Sequence, residues 1–336
     1  MCILSVFWYQ EMFTRLNKLD KSVLLLKPRG FCAGVVRAID IVELALQAYG
    51  PPIYVRKEIV HNRFVVSDLA SRGAVFVDSV DDVPAGARLV YSAHGVAPSV
   101  RQNAEERDLQ VIDATCPLVT KVHLEAIRFA KSHSTIVLIG HRDHDEVIGT
   151  VGEAPDQTIV VSTPDEAETV QVPDGDIAYL TQTTLSLDEA QSIIDVLKRR
   201  FPQIKGPPAK DICYATENRQ IAIKQTAPEA DVLLVVGSQN SSNSARMVEV
   251  GAQRGLPSFL IDDEKDIEPA WIETARTVAV SAGASAPESL VKSVLEHLQG
   301  MGFHDVIEVE AVEEDVHFPL PPELQQARNL MQISIE

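Results

Sequence analysis

The sequence lacks long apolar runs and is poor in positive charge. None of its runs reaches the roughly 18 consecutive apolar residues that a helix needs to cross a bilayer. Its 30 Lys and Arg residues are outnumbered by 48 Asp and Glu, and the formal charge of −18 disfavours nucleic acid as a partner. The short apolar stretch within residues 1–20 has no Lys or Arg before it and no small-residue cleavage site after it, so we interpret these residues as an appended extension. We therefore predict a globular, cytoplasmic protein without membrane or nucleic-acid partners.

Cysteine is scarce, with four residues in 336. Structural disulfides are rare in a reducing cytoplasm, where cysteine more often indicates metal binding or catalysis. Cys32, Cys116 and Cys213 each stand in a short loop that leads into a predicted helix, and helix N-termini favour thiolates. The paired CxxC knuckles of structural zinc are absent, so these cysteines favour an iron–sulfur cluster with one iron left without a protein ligand. A buried inert thiol is the alternative for each of them, and Cys2 is not expected to be a ligand.

Short β-branched apolar runs alternate with segments of helical periodicity along most of the chain. We predict strands at 22–28, 53–60, 87–95, 134–141, 157–163, 176–184, 230–238, 257–262 and 277–285. Helices are predicted at 34–49, 97–108, 117–132, 187–200, 216–228, 243–254 and 287–299. Strands that alternate with long helices indicate βαβ units, so the predicted fold class is α/β with mostly parallel sheets.

A weak internal repeat suggests how the chain is divided. The three helix-entry cysteines are spaced by 84 and 97 residues, and further strand–helix units follow each of them. This spacing predicts three similar small domains. The predicted units are an N-terminal extension at 1–20, α/β domains at 21–115, 116–212 and 213–309, and a C-terminal tail at 310–336.

Polar residues collect where the predicted strands end. Ligands of open parallel sheets bind beyond the carboxyl ends of the strands, so six such loops predict one central site. The polar residues of these loops are His61, Ser92, His94, His141, His144, Glu146, Thr181, Gln182, Thr183, Thr184, Ser238, Asn240, Ser241, Ser242, Asn243, Ser281 and Ser285. The run at 240–243 precedes a helix and favours anion binding over simple capping. Taken singly, each histidine is more often an ordinary loop residue. The alternative for Glu146 is an exposed loop carboxylate without a catalytic role.

Nine stretches of the sequence match a known family, in order, from about residue 22 to residue 309. They are RGFCAGVVRAI, EIVHN, SAHGV, DATCPLVTKVH, GHRDHDEVIGT, TQTTLS, DICYATENRQ, GSQNSSNS and AGASAP. No single motif is decisive, but together they are highly specific. On these motifs the chain resembles the 4-hydroxy-3-methylbut-2-enyl diphosphate reductase (LytB) family.

The resemblance implies a fold and a reaction. The fold is three α/β domains in pseudo-threefold array around a 4Fe–4S cluster. The implied ligands are Cys32, Cys116 and Cys213, with one open iron site that binds the substrate hydroxyl. The implied reaction is reductive dehydroxylation of (E)-4-hydroxy-3-methylbut-2-enyl diphosphate to isopentenyl and dimethylallyl diphosphate, the last step of the non-mevalonate isoprenoid pathway. The implied electron donor is a ferredoxin or a flavodoxin.

The resemblance also implies roles for individual residues. Glu146 belongs to the proton-delivery path, and Thr183 assists it. The residues implied to bind substrate are His61, His94, His144, Thr183, Thr184, Ser241, Ser242, Asn243 and Ser285. Two positions depart from the family pattern, because Asp145 stands where the family often has proline and Glu217 stands where it has threonine.

Two functions of other classes remain as alternatives. An iron–sulfur sensor or binding protein without turnover has no need of a positioned acid, so Glu146 together with Thr183 argues against it. A metal-dependent diphosphate hydrolase needs several carboxylate ligands at the strand ends. Glu146 is nearly alone there, which disfavours the hydrolase.

Overall fold

The strands form three separate parallel sheets in the computed structural model, which describes residues 21–325. Cys2 and the whole predicted extension 1–20 therefore lie outside the described residues. The strands are β1 Lys21–Lys27, β2 Ile53–Arg56, β3 Ala74–Val77, β4 Arg88–Tyr91, β5 Gln110–Asp113, β6 Thr135–Ile139, β7 Thr158–Val161, β8 Ile177–Thr181, β9 Val232–Val236, β10 Ser258–Ile261, β11 Thr277–Ala282 and β12 Phe303–Glu310. The helices are α1 Ala33–Tyr49, α2 Arg63–Ser71, α3 Pro98–Glu106, α4 Pro117–Lys131, α5 Asp145–Glu153, α6 Pro164–Thr169, α7 Leu187–Arg200, α8 Tyr214–Thr226, α9 Ser242–Gln253, α10 Pro269–Ile272 and α11 Glu288–Gly300.

The strand order confirms the predicted α/β class with parallel sheets. One sheet has the order β10-β9-β11-β1-β12, a second β3-β2-β4-β5 and a third β7-β6-β8. Every pairing between these strands is parallel. In each sheet, the loops that follow the strands therefore all lie at the same end of the sheet.

Both faces of the five-stranded sheet are covered, which explains its continuous apolar runs. In β1, Val23 and Leu25 pack into one core cluster while Leu24 and Leu26 pack into another. Because neighbouring side chains of a strand point to opposite faces, a strand buried on both faces needs apolar residues at every position. Burial of each such side chain contributes about 1.5–3 kcal/mol.

Several elements were not predicted from the sequence. Strands β3, β5 and β12 and helices α2, α5, α6 and α10 all lie outside the predicted ranges. β3 and β5 have four residues each, and β12 is a largely exposed strand at a sheet edge, so none of them carries a buried apolar run. The four helices span nine residues or fewer, which is too short for a clear 3.6-residue period.

The three sheets do not coincide with the three predicted domains, because β1 of the first segment belongs to the sheet of the third. β1 pairs with β11 and β12, so the first strand of segment 21–115 lies in the same sheet as the last strands of segment 213–309. β2 to β5 form the four-stranded sheet, and β6 to β8 form the three-stranded one. The domain boundaries themselves stay a prediction.

Residues after β12 run back over the body of the protein. Leu324 is fully buried and packs into the core cluster that lies against α1 and β2, and Leu320 packs against the same cluster. Arg37 Nε donates to the carbonyl of Pro319 at 2.8 Å. The described part of the predicted tail, up to residue 325, is thus attached to the first helix. None of the described helices is long and apolar enough to cross a membrane.

Candidate active site

The carboxyl ends of strands from all three sheets surround one cavity of about 760 Å³, including its open mouth. All of the metal-ligating, catalytic and substrate-binding candidates predicted from the sequence line it. They are Cys32, His61, His94, Cys116, His144, Glu146, Thr183, Thr184, Cys213, Ser241, Ser242, Asn243 and Ser285. The remaining strand-end residues do not line it, although Gln182 lies directly behind the lining and donates to Thr184 Oγ1 at 2.9 Å.

Each of the three cysteines is the N-cap residue of a helix, Cys32 of α1, Cys116 of α4 and Cys213 of α8. Gly34 makes room for two of the sulfurs, because a Cβ at this position would lie 2.8 Å from Cys116 Sγ and 3.8 Å from Cys32 Sγ. Within residues 21–325, one group of three or more possible metal ligands has all its ligand atoms within 4.8 Å of one another, and that group does not include the three cysteines. The three sulfurs are therefore not all within 4.8 Å of one another. A single tetrahedral ion with bonds of about 2.3 Å would hold three thiolates closer together than 4.8 Å. The spacing therefore suits a cluster of several metal atoms.

Two of the three thiols, Cys116 and Cys213, lie in surroundings that favour their neutral form. Burial raises the pKa of Cys116 to about 12. Burial, and next the charge of Cys32, raises the pKa of Cys213 to about 11. The N–H of Thr216 donates to Cys213 Sγ at 3.4 Å, which is too little to offset this burial. Thiolates at Cys116 and Cys213 would therefore need a cationic metal group beside them, and a set of three cysteine sulfurs fits such a group.

Glu146 is a buried carboxyl in the first turn of α5, with 2% of its surface exposed. Burial raises its pKa to about 7, the hydrogen bonds from Thr183 lower it, and the charge of Asp211 raises it further. The carboxyl is thus poised to hold and to release a proton near neutral pH, as a general acid requires. Asp211 itself accepts hydrogen bonds from the Thr181 amide at 3.0 Å and from Lys121 Nζ at 3.1 Å.

Three histidine rings that line the cavity form one contact group. The rings of His61 and His94 are stacked with centroids 4.1 Å apart, and His144 meets them edge-on at 5.6 Å and 5.8 Å. Burial, followed by the charges of the other two rings, holds the pKa of His94 well below its usual value. Burial, and then His61 and His141, lowers the pKa of His144 to about 4. Both rings are therefore neutral around pH 7 while no anion is bound.

Hydrogen bonds fix the orientation of these rings. His144 is the N-cap residue of α5, and its Nδ1 accepts the amide hydrogen of Glu146 at 3.2 Å. The ring proton of neutral His144 is therefore assigned to Nε2. His61 Nδ1 lies 3.1 Å from a Glu58 carboxylate oxygen, and His94 Nδ1 lies 3.3 Å from Ser92 Oγ.

Hydroxyl and amide groups at the start of α9 face the same cavity. Ser241 is the N-cap of this 12-residue helix and accepts the Ser244 amide at 3.4 Å, so its capping role is real. Ser242 Oγ accepts from Thr184 Oγ1 at 3.0 Å. Asn243 Oδ1 is buried without a hydrogen-bond partner among the described residues. Capping alone therefore does not account for this run, and the free backbone amides of a helix N-terminus suit an anion.

The sequence did not identify Gly34, Tyr214 and Phe318 among the residues that line the cavity. Gly34 is needed only because Cys116 approaches it from 82 residues away, which no local pattern shows. Tyr214 follows Cys213, and its hydroxyl accepts the amide hydrogen of Ala33 at 3.1 Å. Phe318 comes from the tail and lines the cavity through a long-range contact. Among the described residues that line the cavity there is no Lys or Arg.

Comparison with known proteins agrees with this geometry. The family model described as LytB protein matches residues 23–299. A curated relative from Acidothermus cellulolyticus, named 4-hydroxy-3-methylbut-2-enyl diphosphate reductase, is 56% identical over 91% of this chain and 91% of its own length. A relative of the same name from Rhodococcus jostii is 54% identical over 92% of this chain and 93% of its own length.

Solved structures show the same likeness. The structure of the E-1-hydroxy-2-methyl-but-2-enyl-4-diphosphate reductase from Plasmodium falciparum aligns with a TM-score of 0.90 and 38% identity, covering 94% of this chain and 100% of that one. A structure described as (E)-4-hydroxy-3-methyl-but-2-enyl diphosphate reductase, the terminal enzyme of the non-mevalonate pathway, aligns with a TM-score of 0.59 and 28% identity. It covers 83% of this chain and 99% of its own.

Proposed function

Because this chain belongs to the LytB protein family, we propose that it is a 4-hydroxy-3-methylbut-2-enyl diphosphate reductase that works in the cavity described above. The observation that carries the proposal is the meeting of three thiols, a buried carboxyl and an anion-binding wall in one cavity. The products are isopentenyl and dimethylallyl diphosphate, which places the reaction last in the non-mevalonate pathway.

Cys32, Cys116 and Cys213 are the proposed ligands of a 4Fe–4S cluster with one iron open to substrate. Their separation, which exceeds that of ligands to a single ion, and the high pKa of Cys116 and Cys213 both support a multi-metal cationic group. When bound, such a cluster supplies electrons and a Lewis-acid position for the substrate hydroxyl.

Glu146 is the proposed proton donor. The overall change takes up two electrons and two protons, breaks the C–O bond, forms a C–H bond and releases water. Glu146 gives its proton to the leaving oxygen, and its burial supports this role because a neutral carboxyl is available near pH 7. Thr183 holds both carboxyl oxygens in place and relays the proton through its hydroxyl.

The proposed diphosphate site is the part of the cavity wall formed by the three histidine rings and the start of α9. The proposed donors are the ring N–H groups of His61, His94 and His144, the side chains of Thr184, Ser241, Ser242, Asn243 and Ser285, and the amides at the start of α9. The neutral rings of His94 and His144 support this role because each keeps one ring N–H to donate and takes up a proton as the dianion stabilises its charged form.

A ferredoxin or a flavodoxin is the proposed electron donor. A cluster accepts electrons one at a time, and both carriers deliver single electrons. A groove lined by Phe31, Arg37, Glu314 and Phe318 approaches the cavity from outside, since Phe318 lines both. This groove is the proposed approach of the donor because Phe31 and Ala33, the two chain neighbours of Cys32, line it.

Anaerobic purification followed by iron and sulfide analysis tests the cofactor, and a reduction assay with the allylic diphosphate tests the reaction. We expect about four iron and four sulfide per chain and formation of both products. Replacement of Cys32, Cys116 or Cys213 by Ser should each abolish the cluster absorbance, whereas Cys2→Ser should leave it intact. A protein that keeps the cluster and binds substrate without turnover would be the sensor instead.

A further inference from the structure

Asp145 brings a carboxylate to two of the cavity histidines. One ligand atom each from His61, His94 and Asp145 lies within 4.8 Å of the other two. Two imidazoles and one carboxylate are a common ligand set for divalent transition metal ions, with positions left open for further ligands. His61 and His94 come from the loops after β2 and β4, and Asp145 is the first residue of α5, which follows β6, so the tertiary structure alone assembles them.

The histidines have the outer hydrogen bonds that metal-ligating histidines usually have. His61 Nδ1 is 3.1 Å from Glu58, whose other contact is the amide of Asn240 at 2.7 Å. His94 Nδ1 is 3.3 Å from Ser92 Oγ. A carboxylate or hydroxyl on Nδ1 fixes the ring and leaves Nε2 for a metal. The His61 pairing with Glu58 is the carboxylate–histidine arrangement that raises the basicity of a ligand nitrogen.

The Asp145 carboxylate is available for such an ion. It makes no hydrogen bond or ion pair with any other residue in the range 21–325 that the structure describes. A second cavity, lined by Glu58, His61, Asp145 and Asn240 among others, reaches the same group from outside. An ion can therefore enter without passing the cysteines.

We propose that His61, His94 and Asp145 form a binding site for a divalent transition metal ion such as Zn²⁺, and that this ion competes with the diphosphate substrate. The competition rests on the proposed function, in which the same two rings donate hydrogen bonds to the diphosphate. A ring nitrogen that ligates a metal has no hydrogen to donate, so each ring serves one partner at a time. The metal site itself needs no catalytic activity.

Calorimetric titration of the anaerobic holoenzyme with Zn²⁺ tests the site. Asp145→Asn keeps the shape of the side chain but weakens it as a ligand, and we expect Zn²⁺ affinity to fall at least about tenfold. Asp143→Asn is the matched control, because it removes the same charge from an exposed residue two positions before Asp145 and should keep wild-type affinity. Thiol binding of Zn²⁺ is the same in both variants and cancels in the comparison. Equal affinities in the two variants overturn the site.

Turnover at buffered free Zn²⁺ tests the competition. We expect Zn²⁺ to raise the apparent KM of the wild type and of Asp143→Asn while kcat stays constant. In Asp145→Asn, the same rise in KM should require a Zn²⁺ concentration at least about tenfold higher. Chelation by the substrate is equal for all three proteins. Zn²⁺ that binds through Asp145 yet lowers kcat at constant KM overturns the competition. A protein that binds Zn²⁺ through Asp145 but never turns over substrate refutes the proposed reaction and leaves the metal site standing.

Discussion

Thr183 binds both carboxyl oxygens of Glu146, its amide donating to Oε1 at 2.6 Å and its hydroxyl to Oε2 at 2.8 Å. The end of β8 and the first turn of α5 are thereby joined through one carboxyl. When Glu146 is protonated on Oε2, the hydrogen bond reverses and the carboxyl donates to Thr183 Oγ1. The hydroxyl hydrogen of Thr183 is then free to turn toward another acceptor. This exchange gives the pair a direct route for a proton.

Replacing Glu146 with Gln tests the acid role. The amide oxygen still accepts from the Thr183 N–H, and the amide nitrogen donates to Thr183 Oγ1, so the fold and cluster should persist. The side chain no longer gives up a proton, and we expect kcat to fall at least about a hundredfold. Single-turnover kinetics with substrate-binding measurements check this, with Thr183→Val expected to lose less. A near-wild-type rate would assign proton delivery to another group.

The pH dependence of kcat should report the Glu146 carboxyl. Its pKa is raised to about 7, so the acid form predominates below that pH and kcat should decline above it. The Thr183 hydroxyl lowers this pKa by stabilising the carboxylate. Thr183→Val should therefore move the declining limb to higher pH, and Thr183→Ser should restore its position. A pH profile that is flat between about 6 and 9 would contradict this assignment.

Diphosphate binding should take up protons. His94 and His144 have lowered pKa values because both rings are buried beside other imidazoles. A bound dianion stabilises the imidazolium form and raises both values, so protons enter with the ligand at pH 6. Calorimetry with inorganic diphosphate in buffers of different ionisation enthalpy measures this uptake. Ser242→Ala should weaken diphosphate binding and leave the number of protons taken up unchanged. A binding enthalpy that does not depend on the buffer would refute the proton uptake.

Gly34→Ala should impair cluster loading without unfolding the chain. The new Cβ would lie 2.8 Å from Cys116 Sγ and must displace that thiol, although alanine itself favours a helix. We expect iron per chain to fall at least about twofold while helical circular dichroism is unchanged. Gly300→Ala is the matched control, since a Cβ there meets nothing within 4 Å. Equal iron content in both variants would show that Gly34 does not set the thiol position.

The tail should shield the cavity through Phe318. Arg219 is fully buried and donates to Glu314 at 3.3 Å and to the carbonyl of Gly30 at 2.6 Å, which ties the tail to the Cys32 loop. Phe318→Ala should open the cavity and speed iron loss to a chelator at least about threefold. Val316→Ala is the control, because Val316 lines only the outer groove. Equal rates for the two variants would remove Phe318 from the barrier.

The sequence by itself determined the fold class, most of the longer helices and strands, and the helix-entry position of three cysteines. These features depend on residues close together in the chain, since periodicity and capping are read within about a dozen residues. Strand β1 was recognised from its apolar run, but its sheet was not, because pairing with β11 and β12 joins residues 255 to 283 positions apart in the chain. The short edge strands bury too little to leave a pattern.

The tertiary structure decided which residues meet and therefore what their chemistry is. Glu146 is only a loop acid in the sequence, whereas its pKa of about 7 arises because β8, α5 and their neighbours exclude water from it. The stacking of His61 on His94 and the approach of Asp145 bring together two loops and the start of α5. Phe318 reaches the cavity from the tail. Desolvation and long-range contact are properties of the packed chain, and neither is encoded in any local stretch of residues.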